Sequence, residues 1–408
     1  MPTERSWLCL AALPLLAACP TDDDTEAGTT PTSTSGTSDG DTTSAQTSAA
    51  SDTENTSGPS TDTDAETDTD ADTGIGTDTD TDTDPGGDSD TGTTGAASCG
   101  MPVELATADL GELEIDGFHV VGTTMAAALR GDGIGLLDVT DPTAVTVLGT
   151  FDPAGGPTYR AALLDGLVVG GRRGGGAFMV DAADPANITE LWVDEDLDTE
   201  DIVYEGDRLY LASSAGVSVV DVTTPGTPTT LVEDLQQDGG GANIGGSTVV
   251  KTDDVLAMAG FNFTTIDVST PDTPVTLAEV DDTGRPDNIV LGNGYVHVGG
   301  NDGVQIFDLA DPAAPALVGT YPGERASLLA LDPDNDRLYV FGSSTTSTQV
   351  PLLRVVDVAD KANPVELGSL FDDLDDPLWA QFEGGTLYFT TDATDPPSLI
   401  MVDGCPPA

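Results

Sequence analysis

Three aspartates that alternate along one segment are the side chains with the clearest chemical potential in this sequence. Asp332, Asp334 and Asp336 stand in DPDND, between the apolar runs LLAL and RLYV. Carboxylate oxygens are hard ligands that Ca²⁺ prefers, so this spacing suggests a weak calcium site of the extracellular kind. The same Pro-, Asp- and Asn-rich segment is also typical of a hairpin turn that needs no ion. Calcium is the only cofactor that the sequence suggests.

Residue types that carry transition metals or phosphate binding are scarce. His119 and His297 each lie in an apolar run of strand character, and neither belongs to an HxxxH pair or stands near a cysteine. No zinc site follows from that arrangement. The Gly-rich basic segment 171–176 lacks the following helix that a phosphate-binding loop requires, which favours a hairpin loop. No Walker loop is present.

Charge restricts the classes of partner. The chain has 12 Lys and Arg against 72 Asp and Glu, a formal net charge of −60. Nucleic acids and anionic membrane surfaces are repelled by such a field, so neither is expected as a partner. The charge suits a cationic partner, a divalent ion, or a salty habitat in which acidic surfaces remain soluble. The last explanation requires no ligand.

The N-terminus has the pattern of an export signal over residues 1–18. Arg5 precedes an apolar stretch, residues 7–18, that is too short to span a bilayer, where roughly 20 residues are needed. Residues 16–19, LAAC, are similar to the bacterial lipobox, which implies cleavage after residue 18 and acylation of Cys19. The alternative is an ordinary secretory signal with an incidental cysteine. Both interpretations export the chain, and the lipobox further implies a membrane anchor in the bacterial envelope, at the outer membrane or cell surface.

A segment of low complexity follows the signal. Residues 20–98 are mainly Thr, Asp, Ser and Gly, with 20 acidic residues and no Lys or Arg. Too few apolar side chains are present to offset the entropy cost of ordering such a segment. We therefore predict an acylated cysteine and a disordered acidic tether over residues 19–98, and one globular domain over residues 99–408.

Seven similar motifs divide the globular domain. Each is an apolar run ending in Asp, usually followed by Val and then by Asp-Pro or Thr-Pro. The aspartates are Asp138, Asp181, Asp221, Asp267, Asp308, Asp357 and Asp403. Their separation of 40 to 49 residues is the period of a four-stranded propeller blade. Each unit holds four short apolar runs between turn signals, so we predict an all-β, seven-bladed propeller with four-stranded blades.

The motif resembles the LVIVD repeat, a bacterial propeller family whose signature is an apolar run, Asp, Val, Ser or Thr, Asp and Pro. Six copies carry most of it, as in residues 136–142 (LLDVTDP), whereas Lys361 replaces Pro in the sixth. The resemblance covers residues 101–405 and implies the fold, since the family has no common catalytic motif. We interpret the repeated Asp as a turn residue that accepts backbone N–H groups, because a catalytic site occurs once and not in every blade.

The two ends of the domain complement each other. Residues 101–105 (MPVEL) nearly duplicate residues 363–367 (NPVEL), which follow the sixth motif, whereas only residues 404–408 follow the seventh. We therefore predict that the N-terminal segment supplies the outer strand of the seventh blade, beside residues 398–403, and closes the ring. Cys99 and Cys405 bracket the domain, and a disulfide between them is expected at this junction.

Candidate ligand contacts come from the general design of propellers. Their ligand sites lie at the mouth of the central channel, which is fed by residues shortly before the first hairpin turn of each blade. The residues at these positions are Arg160, Glu200, Asp201, Asn288, Arg325 and Trp379. This mixed set suits a sugar or a peptide, although polar residues also line wet, empty channels.

These features predict a monomeric cell-surface lipoprotein. Its propeller is expected to serve as a binding, adhesion or protein-interaction module for a protein or glycan, without catalysis. The alternative is an extracellular hydrolase or lyase that acts on polysaccharide at the channel mouth, for which only Arg160, Glu200, Asp201 and Arg325 are available. A structural component of the envelope with no small ligand is a third hypothesis.

Overall fold

The computed structural model describes residues 99–407, apart from residues 112, 132, 154–155, 236–245, 282, 324, 344–351, 372–373, 375 and 393–397. The predicted signal, Cys19 and the tether lie outside the described residues. Within the described part of the chain, no helix is both long enough and apolar enough to cross a membrane.

Seven antiparallel four-stranded sheets make up the described chain, and a single 3-10 turn, Pro185–Asn187, is its helical element. The sheets are numbered as blades 1 to 7 in the order of their inner strands. Blades 1 to 4 are built from β2 (Ile115–Val121), β3 (Thr124–Leu129), β4 (Gly133–Asp138) and β5 (Thr146–Phe151); β6 (Arg160–Leu164), β7 (Leu167–Arg172), β8 (Gly176–Asp181) and β9 (Thr189–Asp194); β10 (Asp201–Glu205), β11 (Arg208–Ser213), β12 (Gly216–Asp221) and β13 (Thr229–Leu235); and β14 (Gly246–Thr252), β15 (Val255–Gly260), β16 (Phe263–Asp267) and β17 (Val275–Val280). Blades 5 to 7 are built from β18 (Asn288–Gly292), β19 (Tyr295–Gly300), β20 (Gly303–Asp308) and β21 (Ala316–Pro322); β22 (Arg325–Asp332), β23 (Arg337–Ser343), β24 (Leu352–Asp357) and β25 (Val365–Leu370); and β26 (Pro377–Glu383), β27 (Thr386–Thr391), β28 (Ser398–Asp403) and, from the N-terminus, β1 (Val103–Asp109).

The inner strands form a closed ring. Each one contacts the inner strand of the next blade, in the order β2, β6, β10, β14, β18, β22, β26 and back to β2. The strands of different blades belong to separate sheets, so side chains and not backbone pairing join the blades. This arrangement confirms the predicted all-β, seven-bladed propeller.

The core consists of seven apolar clusters, one at each junction between neighbouring blades. The second and third strands are buried on both faces: Met125 to Leu129 of β3 and Ile134 to Leu137 of β4 are all buried. The fourth strands are partly exposed, and in β5 exposed residues predominate. Stacking of blades on both sides therefore explains why the apolar runs show no strict alternation.

The two ends of the propeller domain meet in blade 7. Strand β1 pairs antiparallel with β28, with Val103 opposite Asp403, which confirms the predicted closing strand. A disulfide joins Cys99 to Cys405, as predicted, with their Cα atoms 4.7 Å apart. The backbone N–H of Gly100 also donates to the carbonyl of Pro406 at 2.7 Å.

Arg337 of blade 6 reinforces this closure. Its buried guanidinium donates to the carbonyl oxygens of Cys99, Gly100 and Gly404 at 2.7 to 2.9 Å. The hydroxyl of Tyr339 donates to the carbonyl of Gly404 at 3.2 Å. The Arg337 guanidinium thus satisfies carbonyl groups from both ends of the domain, at the point where β1 and β28 pair without a connecting turn.

The repeated aspartates have the turn role predicted for them. Each accepts a hydrogen bond from the backbone N–H of the residue two positions later, at 2.8 to 3.1 Å. Hydrogen bonds from the side chain and backbone of that residue lower the pKa of Asp138, Asp221 and Asp267. The residue after each Asp donates its N–H to the first hairpin turn of the same blade, which locks the third strand to that turn.

The two faces of the ring differ in regularity. On one face, called the turn face, the connections from third to fourth strand have seven residues in all of blades 1 to 6. The first hairpin turns also lie there and have two residues, except for residues 333–336 of blade 6. On the opposite face, where the inner strands begin, connections range from two to ten residues. This second face is called the mouth face, and it is where the blades differ.

Removal of the Arg337 side chain should weaken ring closure specifically. Arg337→Met leaves carbonyls of both chain ends without their donor, so we expect the free energy of unfolding to fall by about 3 kcal/mol. Arg208→Met is a matched control, because Arg208 also begins a second strand opposite a repeated Asp, Asp221, but is half-exposed and forms a 3.1 Å ion pair. That control should cost about 1 kcal/mol or less. Urea unfolding measures both, and equal losses would contradict the closing role of Arg337.

Candidate functional site

A cavity of about 320 Å³ lies in the channel among the inner strands of blades 1 to 5 and blade 7. Four of the six residues predicted for the channel mouth line it: Arg160, Asp201, Asn288 and Trp379. They come from four different blades, so the structure brings together residues that are far apart in sequence. The cavity is the best candidate for a functional site among the described residues.

The other two predicted residues are held outside the cavity by ion pairs. Glu200 lies 3.3 Å from the Nε atom of Arg173, whose own side chain is 60% exposed. Arg325 donates two hydrogen bonds to the carboxylate of Asp287, at 2.6 and 2.8 Å. Neither Glu200 nor Arg325 lines the cavity. The prediction of their place in the site is therefore not supported by the geometry.

Arg160 reaches across blade 1 to an aromatic ring of blade 7. Its guanidinium carbon lies 3.9 Å from the centroid of the Trp379 ring, a cation–π contact. Gly117 lies beneath the arginine, because a Cβ atom there would come within 2.6 Å of the Tyr159 carbonyl and 2.9 Å of Arg160 Nη1. A glycine at this position therefore makes room for the arginine to reach Trp379.

Polar side chains of the cavity accept hydrogen bonds from backbone N–H groups of the next blade. Asp201 Oδ2 accepts from the N–H of Val249 at 2.9 Å, and Asn288 Oδ1 accepts from that of Leu329 at 3.0 Å. One layer deeper, the same relation recurs. His119 Nδ1 accepts from the N–H of Leu163 at 3.1 Å, and Gln381 Oε1 accepts from that of Val120 at 2.8 Å. These side chains take the place of the backbone pairing that is absent between blades.

Blade 7 also donates to blade 1 through this inner layer. Trp379 Nε1 donates to the carbonyl of Phe118 at 2.8 Å, and Gln381 Nε2 donates to that of Val120 at 2.9 Å. His119 and Gln381 were not among the predicted site residues, although both line the cavity. Their positions in the sequence could have identified them. His119 lies two residues after Gly117, and Gln381 lies two residues after Trp379, so each shares a face of its strand with that residue.

Burial shapes the electrostatics of the cavity. It raises the pKa of Asp201 to about 6, against the opposing effects of Arg160 and of the N–H groups of Val249 and Ile202. The Nε atom of Arg160 is 3.9 Å from the Asp201 carboxylate. Burial also lowers the pKa of His119, so its imidazole is neutral at pH 7. Because Nδ1 accepts a hydrogen bond, the proton of neutral His119 resides on Nε2.

Carboxylates are scarce in the lining of the cavity. Asp201 is the one carboxylate among the lining residues, and each of its oxygens accepts a backbone N–H. Glycoside hydrolysis ordinarily needs two carboxylates facing each other across the scissile bond. His297, which the sequence left without a metal-binding role, is fully buried in β19.

The predicted calcium ligands are directed to different partners. Asp332 is 1% exposed and accepts from the N–H of Asp334 and from the N–H and side-chain amide of Asn335. Asp336 pairs with Lys361 at 2.7 Å. Across the described residues, no three His, Cys, Asp or Glu side chains are grouped so that they could hold a metal ion. The hairpin-turn alternative therefore accounts for this segment, and calcium binding stays a prediction.

Four-stranded blades around a channel define the protein as a seven-bladed β-propeller. Residues 283–322, which include blade 5, match the family model of the LVIVD repeat, so the predicted resemblance is confirmed in that blade. Among curated proteins, none matches this sequence.

Solved structures with the same fold are distant in sequence. A chain of the mitotic checkpoint complex is 12% identical with a TM-score of 0.58, and the match covers 74% of this chain and 91% of that one. The β-propeller domain of Cps50 (Swd1) from Myceliophteria thermophila is also 12% identical, with a TM-score of 0.54 and coverage of 74% and 99%. Sqt1 from Saccharomyces cerevisiae is 10% identical, with a TM-score of 0.52 and coverage of 71% and 83%. At this identity the likeness concerns the fold alone.

The raised pKa of Asp201 predicts a measurable pH dependence. The folded protein keeps this proton up to about pH 6, whereas an unfolded Asp loses it near pH 4, so this group lowers stability as pH rises from 4 to 6. Asp201→Asn removes that effect and keeps an acceptor for Val249. The stability of the variant relative to wild type should therefore increase by about 2 kcal/mol between pH 4 and pH 7, measured by urea unfolding. A difference that is constant with pH would contradict this assignment.

Proposed function

We propose that this chain is an exported binding module whose propeller contacts a ligand or partner through the mouth face. A lipid on Cys19 and the acidic tether of residues 19–98 attach the domain to the cell envelope. In this role the propeller carries a recognition surface and performs no reaction.

The difference between the two faces is the observation that carries this proposal. The turn face is built from one repeated connection, stabilised in every blade by the same Asp hydrogen bond. The mouth face combines connections of unequal length with the cavity around Arg160 and Asp201. Recognition of a particular partner needs features that are not repeated, and these lie on the mouth face.

The position of the N-terminal attachment fits this use. Cys99 and Cys405 lie where β1 begins and β28 ends, which is on the turn face. The segment that precedes residue 99 therefore joins the domain on the turn face, opposite to the variable surface that we propose for the partner.

Charge narrows the class of partner. Residues 99–408 contain 51 acidic and 11 basic residues, so an extended anionic partner would be repelled. Neutral glycans and neutral or cationic peptides are the partners that this surface accepts.

A matched pair of arginines tests the choice of face. The exposed Arg173 lies on the mouth face, and Arg208 lies on the turn face, each paired with one carboxylate. On arrays of neutral glycans and cationic peptides, Arg173→Gln should weaken binding several-fold, whereas Arg208→Gln should leave it unchanged. Each variant removes one positive charge, so a non-specific charge effect alters both equally. Equal effects, or no binding to either array at low and high salt, would overturn the proposal.

The anchor is testable by itself. In bacteria fed radiolabelled palmitate, the full-length chain should incorporate label and partition into the detergent phase. Cys19→Ala should abolish both, because the acylated atom is lost, whereas Cys9→Ala changes a residue of the signal and should keep both. Labelling that persists in Cys19→Ala would exclude the lipid anchor and leave an ordinary secretory signal.

A further inference from the structure

The polar side chains of the cavity use their acceptor ends to join the blades. Asp201, Asn288 and His119 each accept a backbone N–H from the following blade. The Gln381 amide is engaged at both ends by Val120. The acceptor atoms of these four side chains are therefore already occupied.

The donor ends remain without a protein acceptor. Arg160 Nε and Thr248 Oγ1 are buried and have no hydrogen-bond partner. Asn288 and His119 accept from the next blade through Oδ1 and Nδ1, so the opposite end of each side chain, Nδ2 or Nε2, is a donor. All four residues line the cavity. Unpaired donors in a buried site are costly, and a ligand that brings acceptor oxygens removes this cost.

The remaining wall of the cavity is apolar. Ala162, Val203, Val250, Val290 and Ala380 line it, together with other aliphatic residues of the inner strands. An apolar group that enters this part of the channel would be removed from water on several sides. The site thus combines donors at one end with a hydrophobic wall.

We infer that the channel cavity binds a small monocarboxylate with an apolar tail. The inference deepens the proposed function, on which it rests for the view that the propeller is a binding module. Arg160 and the Asn288 amide donate to the two carboxylate oxygens, and the tail lies against the aliphatic inner strands. Because the Asp201 carboxylate already lies 3.9 Å from the Arg160 guanidinium, a singly charged ligand is accommodated better than an inorganic dianion, which would also leave the apolar wall unused.

A sugar fits this cavity less well than a carboxylate. Each hydroxyl of a sugar brings a donor as well as an acceptor, and the cavity acceptors already serve backbone N–H groups. Burial of Asp201, which raises its pKa to about 6, reduces the repulsion of a second carboxylate because that group takes up a proton readily. The site therefore favours a carboxylate, which only accepts hydrogen bonds, over a sugar hydroxyl, which also donates one.

Overall charge gives the inference a distinctive salt dependence. The acidic surface repels an approaching anion over long distances, whereas the pair formed with Arg160 is buried and screened little. Added salt should therefore favour hexanoate over the neutral 1-hexanol. If an exposed arginine bound the acid instead, salt would screen the ion pair, and the advantage of hexanoate over 1-hexanol would decrease with added salt.

Calorimetric titration of the full-length chain tests the inference with three probes of one chain length: hexanoate, 1-hexanol and hexylamine. Hexanoate should bind about tenfold or more tightly than either control, and its advantage over 1-hexanol should grow between about 0.1 M and about 1 M NaCl. Arg160→Gln and Asn288→Asp should each weaken hexanoate binding about tenfold, the second because it replaces a donor by a carboxylate while keeping the acceptor for Leu329.

Arg325→Gln is the matched control, since it removes an arginine that does not line the cavity, and it should bind hexanoate like wild type. Circular dichroism checks that each variant folds, and Thr248→Val provides a second test of the donors if Arg160→Gln does not fold. Equal binding of hexanoate and 1-hexanol, no binding of hexanoate, or an undiminished affinity in the folded cavity variants would overturn the inference. Because Arg173 lies outside the cavity, loss of array binding in Arg173→Gln with retained hexanoate binding separates the two proposals.

Discussion

Pairing of the first and last strands of the domain is the interaction on which the propeller depends. Each blade has apolar residues on both faces of its central strands, so every blade needs a neighbour on each side, and an open arc would leave two such faces in water. Strand β1 completes blade 7 against β28, and the disulfide and Arg337 hold the two ends where no connecting turn exists. Closure at this one point therefore keeps the apolar cluster between blades 7 and 1 out of water and leaves the ring with no open end.

A second layer of contacts follows from that closure. Inner strands of neighbouring blades do not pair through their backbones, so side chains such as Asp201 and Asn288 accept the N–H groups that face them. Among the donors of the cavity, Arg160 Nε and Thr248 Oγ1 have no hydrogen-bond partner. The structural requirement of joining the blades thus sets the chemical character of the cavity.

Sequence patterns predicted the repeating parts well and the site only in part. The turn Asp, the closing strand and the Cys99–Cys405 pair were predictable because each depends on a local pattern and on the count of repeats. Four of the six mouth candidates line the cavity, whereas Glu200 and Arg325 form ion pairs with Arg173 and Asp287. The sequence pattern did not reveal those ion pairs, because nothing in the repeat specifies which charged neighbours meet.

Sequence patterns were sufficient to predict the number of blades, the chemistry of their turns and the way in which the ring closes. These features follow from hydrophobic period and turn propensity, which act over short stretches of chain. Only the tertiary structure decided which polar groups reach the cavity and which of their ends remain free. That outcome depends on the register between blades, which places a backbone N–H beside each acceptor, and on Gly117, which lets Arg160 reach Trp379.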